Sequence, residues 1–233
     1  MAPSPSSCGA HRRMAMPAVA LSSGKPMPRI GFGTATATLG QAEGRSGATE
    51  AILHALSAGY RHFDTASANL QMEYVDLYLI HFPVEVHPYC RQNKLRAFCT
   101  VKGIQLCAYS PLGGKGAVWA NNSVMDCPVL KQIACEKGKS VAQVCIRWVF
   151  EQGDCVIVKS FNEQRMRENL DIFSWELSDD DKHRISALPE SRGTYDFFVH
   201  ESGPYKTADD FWDGEIVAGQ STGQTAVRSN PTN

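Results

Sequence analysis

A chain of 233 residues, 43% hydrophobic and 20% charged, has room for one large core. Its formal net charge of −1 gives no electrostatic hold on nucleic acid or an acidic membrane surface. No apolar run approaches the roughly 20 residues that a membrane helix needs, and the eight cysteines never fall in a C-x-x-C pair. Several occupy apolar positions, such as Cys107 in QLCAYS and Cys145 in AQVCIRW. Buried thiols in a reducing, cytoplasmic compartment explain them ahead of zinc or a disulfide framework, and no metal site is expected.

Residues 1–15 hold no acid, carry Arg12 and Arg13, and lack the amphipathic pattern of a transit peptide; a disordered extension is expected. VALSSGKPMPRI then reads as a short hairpin around Ser22 to Pro26, and GFGTA as a short strand. ATEAILHALSAG places Ile52, Leu53 and Leu56 at helical spacing and stops at Gly59. HFDTA, VDLYLIHF and VEVHP follow as three strands. RQNKLRAFCTVKG is expected to be a helix with Leu95, Phe98 and Val101 inward, and IQLCAYS a strand leading into the Gly-rich PLGGKG. PVLKQIACEKG begins with proline in its first turn, and SVAQVCIRWVFEQG begins on Ser140 as N-cap. CVIVKS is an apolar strand, NEQRMRENLDIF a helix capped by Asn162, and SDDDKHRISAL a helix with its acids in the first turn. The last residues, 217–233, are Gly/Ser/Thr/Gln-rich and are expected to be a disordered tail.

Strand–helix alternation implies a parallel sheet, doubly wound or closed as a barrel. Asp64, His81, His87, Ser110, Lys159 and Ser160 all lie at or just past the C-terminal ends of their strands. Polar groups from many strands meeting at that edge is the arrangement of a (β/α)₈ barrel. A Rossmann domain would show a G-x-G-x-x-G turn, which GFGTATATLG does not fit. The barrel is favoured, but it is short of parts. Parallel neighbours need a crossover of a dozen or more residues. SANLQMEY between HFDTA and VDLYLIHF is too short, and Pro83 alone cannot join VDLYLIHF to VEVHP. About six of the eight strands are present, so the expected fold is an incomplete α/β (β/α)₈ barrel.

MPRIGFGT, YRHFDTA, NLQMEYVDLYLIHFPV, KGIQLCAYSPLG, AQVCIRWVFEQG, IVKSFNEQRMRENLDIF and GPYK…FWDGEI, taken in order, resemble consecutive blocks of an aldo-keto reductase. The wording is most similar to the plant branch that includes deoxymugineate synthase, codeinone reductase and the polyketide (chalcone) reductases, and it covers roughly residues 16–216 as one NADP-dependent oxidoreductase domain. The resemblance implies NADPH/NADP+ as cofactor and a tetrad of Asp, Tyr, Lys and His. Asp64 matches the aspartate and His81 the histidine. The tyrosine motif A-x-x-Y and the lysine motif T-S-K-L-W have no counterpart, and neither does the G-V-S-N-F strand. On the same basis Thr34, Asp64, Tyr109, Ser110, Leu112, Lys159, Ser160, Phe161, Arg165 and Asn169 would contact the cofactor.

The residues themselves also admit plainer roles. Asp64 can cap a turn and His81 can be a satisfied core histidine; their place in matching motifs favours function. Glu85 and His87 are expected to shape a strand end, and Trp119, Trp148 and Trp175 to pack. Tyr60 and Tyr74 lie at the wrong ends of their strands, which leaves Tyr89 as the single candidate replacement acid. Two functions follow. One is NADPH-dependent reduction of a ketone or aldehyde to an alcohol, deoxymugineate synthase-like by resemblance. The other, favoured for the chain as written, is a catalytically inactive remnant that at most binds NADP(H) or a partner. The expected partner is a small carbonyl compound, with no nucleic acid or membrane, and the expected state is a monomer.

Overall fold

The computed structural model describes residues 16–21, 24–33, 42–64, 85–114, 122–190, 199–203, 205–211 and 214–215. An antiparallel hairpin opens it, β1 (Ala18–Ala20) against β2 (Pro26–Pro28), with Val19 opposite Met27. Then come β3 (Ile30–Gly33), α1 (Ala42–Ala58), β4 (Phe63–Asp64), α2 (Asn93–Lys102) and β5 (Cys107–Ala108). The rest is α3 (Ser123–Asp126), α4 (Pro128–Lys137), α5 (Val141–Glu151), β6 (Cys155–Val158), α6 (Glu163–Leu170), α7 (Asp179–Ser186) and α8 (Ala208–Phe211). None of the described helices is long and apolar enough to cross a membrane.

The order β4-β3-β6-β5, with every pair parallel, is what identifies the architecture. Glu85 adds a parallel bridge to Tyr109 on the far side of β5. Walking along this sheet passes from the second parallel strand to the first, and then to the last and the one before it. Chain order therefore runs round a circle, with the β3–β6 pair as the seam where a barrel closes. The fold is a partial (β/α)₈ barrel. The described residues of VEVHP, from Glu85 on, form the bridge at Glu85 and a turn in which His87 N donates to Cys90 O (3.1 Å) and Cys90 N to His87 O (2.8 Å). VDLYLIHF lies outside the described residues.

Inside the arc, Gly31 makes room for larger neighbours. A Cβ there would come within 2.5 Å of Ile157 Cδ1 and 2.9 Å of His62 Nδ1, so the missing side chain lets these two fill the interior. The other face of β3 and β6, carrying Ile30, Phe32, Val156 and Val158, packs on the helices together with Ile133 and Ile146. Each such buried aliphatic contributes about 1.5–3 kcal/mol. Tyr60 is fully buried and donates its hydroxyl to Met166 O at 3.1 Å, which ties the end of α1 to α6. Trp148 is buried and Trp175 packs against the core, as expected.

The expected inward face of α2 holds at Leu95, which packs against the core, and fails at the other two positions. Phe98 is 55% and Val101 83% exposed, and Leu53 and Leu56 also lie on the surface. Cys99 is the buried residue of α2. A helix outside a barrel packs on the sheet and on a helix to either side, and α1 and α2 flank the two ends of the arc. Their sides turned beyond the arc meet no described helix.

Candidate cofactor site at the carboxyl edge of the strands

Strand β6 ends at Val158, and the next residues turn directly into α6. Asn162 caps that helix, its Oδ1 accepting from Arg165 N at 2.9 Å. The cap satisfies one of the helix's otherwise unpaired amides and fixes where Arg165 emerges. Ser160 is buried; its Oγ accepts from Asn162 N at 3.1 Å and lies 3.4 Å from Arg165 Nε. Lys159 is exposed, with Nζ 5.9 Å from the centre of the exposed Phe161 ring. Two cations, an aromatic face and the positive end of a helix thus share one surface. That combination suits a phosphorylated aromatic ligand.

The register with β5 brings a second segment to the same edge. Cys107 pairs with Cys155 and Ala108 with Val156, so Tyr109–Ser110 leaves the sheet beside the stretch that leads to Lys159. Ser110 has φ 50°, a left-handed conformation that costs a serine roughly 1–2 kcal/mol. Strain kept at a strand end is a mark of functional sites. Gly113 follows with φ 72°, its amide donating to Ser110 O at 2.9 Å; a Cβ there would sit 2.6 Å from Val124 Cγ2. Only glycine fits that turn. Leu112 packs partly into the core beneath it.

On the other flank of β6, β3 and β4 end together, with Asp64 level with Gly33. The edge therefore carries Asp64, Lys159–Ser160 and Tyr109–Ser110 in spatial order. Asn169 stands apart from this group: it is buried in the last turn of α6 and bonds the Tyr60 side chain. Thr34 and His81 lie outside the described residues, as do Tyr74 and Trp119.

Neither Tyr89 nor Tyr60 is tuned as an acid. Burial, followed by a bond that the phenol donates to the Cys127 sulfur, pushes Tyr89 up to about 12. A tyrosine that protonates a carbonyl near neutral pH needs the opposite shift. Burial also raises Tyr60, whose hydroxyl is held by Met166. Glu85 and His87 are buried and face each other at 3.5 Å, while His87 Nδ1 accepts from Tyr89 N at 3.1 Å. They shape the turn, as their sequence context suggested. Arg29 was not singled out by sequence. It follows the hairpin, its guanidinium stacks 4.0 Å from the Phe150 ring, and nothing in MPRI distinguishes it from a surface arginine.

Comparison with known proteins agrees with this layout. The Aldo/keto reductase family matches residues 84–190. Deoxymugineic acid synthase 1-B of Triticum aestivum is 36% identical over 308 residues, covering 82% of this chain and 97% of the relative. 7-acetyl-epi-neemfruitin B aldo-keto reductase of Melia azedarach is 34% identical over 323 residues, covering 88% and 99%. Both alignments are longer than this chain, so stretches of the relatives have no counterpart here. An aldo/keto reductase from Brucella melitensis superposes with a TM-score of 0.59 at 25% identity, over 74% of this chain and 99% of that one. A Bombyx mori aldo-keto reductase in complex with NADP gives 0.64 at 22% identity, over 74% and 92%. With a parallel arc in barrel order and relatives above 30% identity matched almost end to end, the chain belongs to the aldo/keto reductase family of oxidoreductases.

Proposed function

We propose that this chain binds NADP(H) by its adenosine 2′-phosphate end and, as written, does not turn over carbonyl substrates. The observation that carries the reading is the Lys159–Ser160–Arg165 group at the capped start of α6. Its two cations and helix amides fit a phosphate monoester, and Phe161 offers a face for an adenine. Tyr109 would offer a face to the nicotinamide ring, and Ser110, Leu112 and the Gly113 turn would follow the pyrophosphate. When bound, NADPH supplies a hydride for a ketone or aldehyde carbon. The chain must then place that carbon and protonate its oxygen.

That second task is the one it lacks. No A-x-x-Y or T-S-K-L-W motif is present, and the alignments exceed the chain in length, which supports two absent internal segments. Asp64 and His81 would remain of the tetrad, with neither the acid nor the lysine that tunes it. Tyr89, raised to about 12, is a poor substitute.

Calorimetry with NADPH, NADH and 2′-phosphorylated adenosine tests the binding half. NADPH should bind at least about tenfold more tightly than NADH, as one charge-assisted contact warrants. The fragment should hold nearly as well as the dinucleotide, and Arg165→Ala should erase the preference. Equal affinities, or an indifferent Arg165→Ala, overturn it. For the catalytic half, NADPH oxidation with reactive aldehydes should match the buffer blank. Turnover abolished by Tyr89→Phe would instead make Tyr89 the acid of an active reductase.

A further inference from the structure

At the opposite end of the strands from the cofactor edge, two thiols stand side by side. The register of β5 with β6 places Cys107 level with Cys155. Residues level on neighbouring parallel strands project to the same face, alternating along each strand. Val156 and Val158 belong to the face packed on the helices, so Cys107 and Cys155 point into the barrel. Neighbouring strands lie about 4.8 Å apart, within the roughly 4.4–6.8 Å of Cα separation that a disulfide spans. The Cys107 thiol is already hydrogen-bonded to the Cys155 sulfur. Strand β5 is two residues long, so its backbone can close the remaining gap without dismantling a longer ladder.

The surroundings favour a reactive pair over inert packing. Arg29 Nη2 donates to the Phe150 and Asp154 carbonyls at 2.6 and 2.9 Å, which anchors its charge beside Cys155. The bond with Cys107 and the Arg29 charge hold the Cys155 thiol below the ordinary range, against burial and the Asp154 carboxylate. Arg96 offsets that carboxylate from 2.9 Å. Cys145 shows the contrast: burial in α5 pushes its thiol up. Cys155 is fully buried and Cys107 partly exposed, and a cleft of about 330 Å³ reaches Leu106 and Asp154, the residues just before them.

We infer that Cys107 and Cys155 are an oxidation site that closes to an intramolecular disulfide on reaction with hydrogen peroxide. The more accessible Cys107 sulfur attacks the peroxide as its proton passes to the Cys155 sulfur to which it is bonded; an S–O bond forms, the O–O bond breaks, and the departing hydroxide takes a proton from solvent to become water. The Cys155 sulfur then attacks the Cys107 sulfenic sulfur and gives its proton to the leaving oxygen. The S–S bond forms, the S–O bond breaks, and hydroxide leaves as a second water. Two thiols lose two electrons and two protons, and the peroxide gains both. Reversible closure of this kind is how disulfides arise in otherwise reducing compartments, and here it would staple the strand after α2 to β6.

The test titrates the reduced full-length chain with hydrogen peroxide, quenches in acid, alkylates and maps the peptides. A linked Cys107–Cys155 peptide should form at least about tenfold faster than the exposed Cys135 is oxidised, since an unassisted thiol is mostly protonated at neutral pH. Cys155→Ser, which keeps size and shape, should leave Cys107 as a sulfenic acid trapped by dimedone. Cys107→Ser should leave Cys155 alkylatable once the chain is unfolded. The inference is overturned if both cysteines survive while Cys135 is consumed, or if Cys155→Ser leaves the Cys107 product unchanged.

Discussion

The middle of the parallel arc and its two ends are built to different standards. In the middle, α5 buries Gln143, Val144, Cys145, Ile146, Trp148 and Val149, and starts with a reciprocal cap between Ser140 and Gln143. Helix α7 starts the same way, with Ser178 and Asp181, and α6 starts on Asn162. At one end, α2 buries Cys99 alone and starts on Gln92, a left-handed residue (φ 53°) whose side chain caps nothing. At the other, α1 leaves Leu53 59% exposed. These end helices are apolar enough for a barrel's outer layer, so what separates them from the middle is their neighbours. An outer helix is stabilised as much by its flanking helices as by the sheet, and at the ends one flank lacks a described partner.

The sharpest way to break this comparison is to cut the same kind of side chain in both regions. Ile146→Ala removes a fully buried residue from the middle and should cost about 2–5 kcal/mol. Val101→Ala, at 83% exposure, should stay within about 0.5 kcal/mol. Urea unfolding followed by circular dichroism reads both. Similar costs at the two sites would mean that the ends are as well packed as the middle.

The same contrast explains what sequence could foresee. Helices α4 to α7 are legible because each carries its own signals: Pro128 at a start, Ser140, Asn162 and Ser178 as caps, and the stop at Gly138. Phe98 and Val101 mislead, because a 3.6-residue period reports an apolar face and not whether anything covers it. Helices α3 and α8, four residues each, are too short to show a period. At the site, Lys159, Ser160 and Arg165 are legible because one strand-to-helix turn carries all three. The burial of Asn169 on Tyr60 depends on a residue more than a hundred positions away, and no local pattern announces it.

A smaller effect lies where the middle meets the α2 end, at Asp154. Burial lifts its carboxyl to about 6 from 3.8, although Arg96 and Arg29 oppose the shift. The folded state therefore holds a proton that the unfolded state has released, and stability falls as pH rises from about 4 to about 6, levelling above that. The change should be on the order of 1–3 kcal/mol. Other carboxyls act in the opposite sense: Asp181 is held low by Ser178 and Lys137 despite its own desolvation. The clean measurement is thus the difference between the wild type and Asp154→Asn across that window. A difference that rises with pH would mean that the two arginines outweigh burial.

Caps should separate the regions by less again. Ser140→Ala removes the bond to Gln143 N (3.2 Å) and should cost about 1 kcal/mol. Gln92→Gly relieves a left-handed side chain but loses the bond from Gln92 Nε2 to Glu85 O (3.1 Å). The two terms are similar in size, so the net should lie within about 0.5 kcal/mol of zero. A cost at Gln92 equal to that at Ser140 would place the organisation of this end in the Gln92–Glu85 bond.

The smallest expected effect is also the most discriminating, because it asks whether anything covers the outer side of α2. Val101→Lys puts a charge on a position that is 83% exposed, one helical turn from Phe98 at 55%. If that side faces water, the lysine keeps its hydration and helix propensity improves slightly, so the unfolding midpoint should not move by more than about 0.5 kcal/mol. Soluble yield should rise, since the exchange breaks an apolar patch beside Ile104, itself 52% exposed. If a neighbour does pack there, the charge is desolvated without a partner, and the loss should reach several kcal/mol. Lys102 controls for charge: Lys102→Gln, next door in the last turn of α2, removes a positive charge 5.9 Å from the Phe98 ring and leaves the apolar side chains in place. A large loss from Val101→Lys beside a small change from Lys102→Gln would mean that this end of the arc is closed after all.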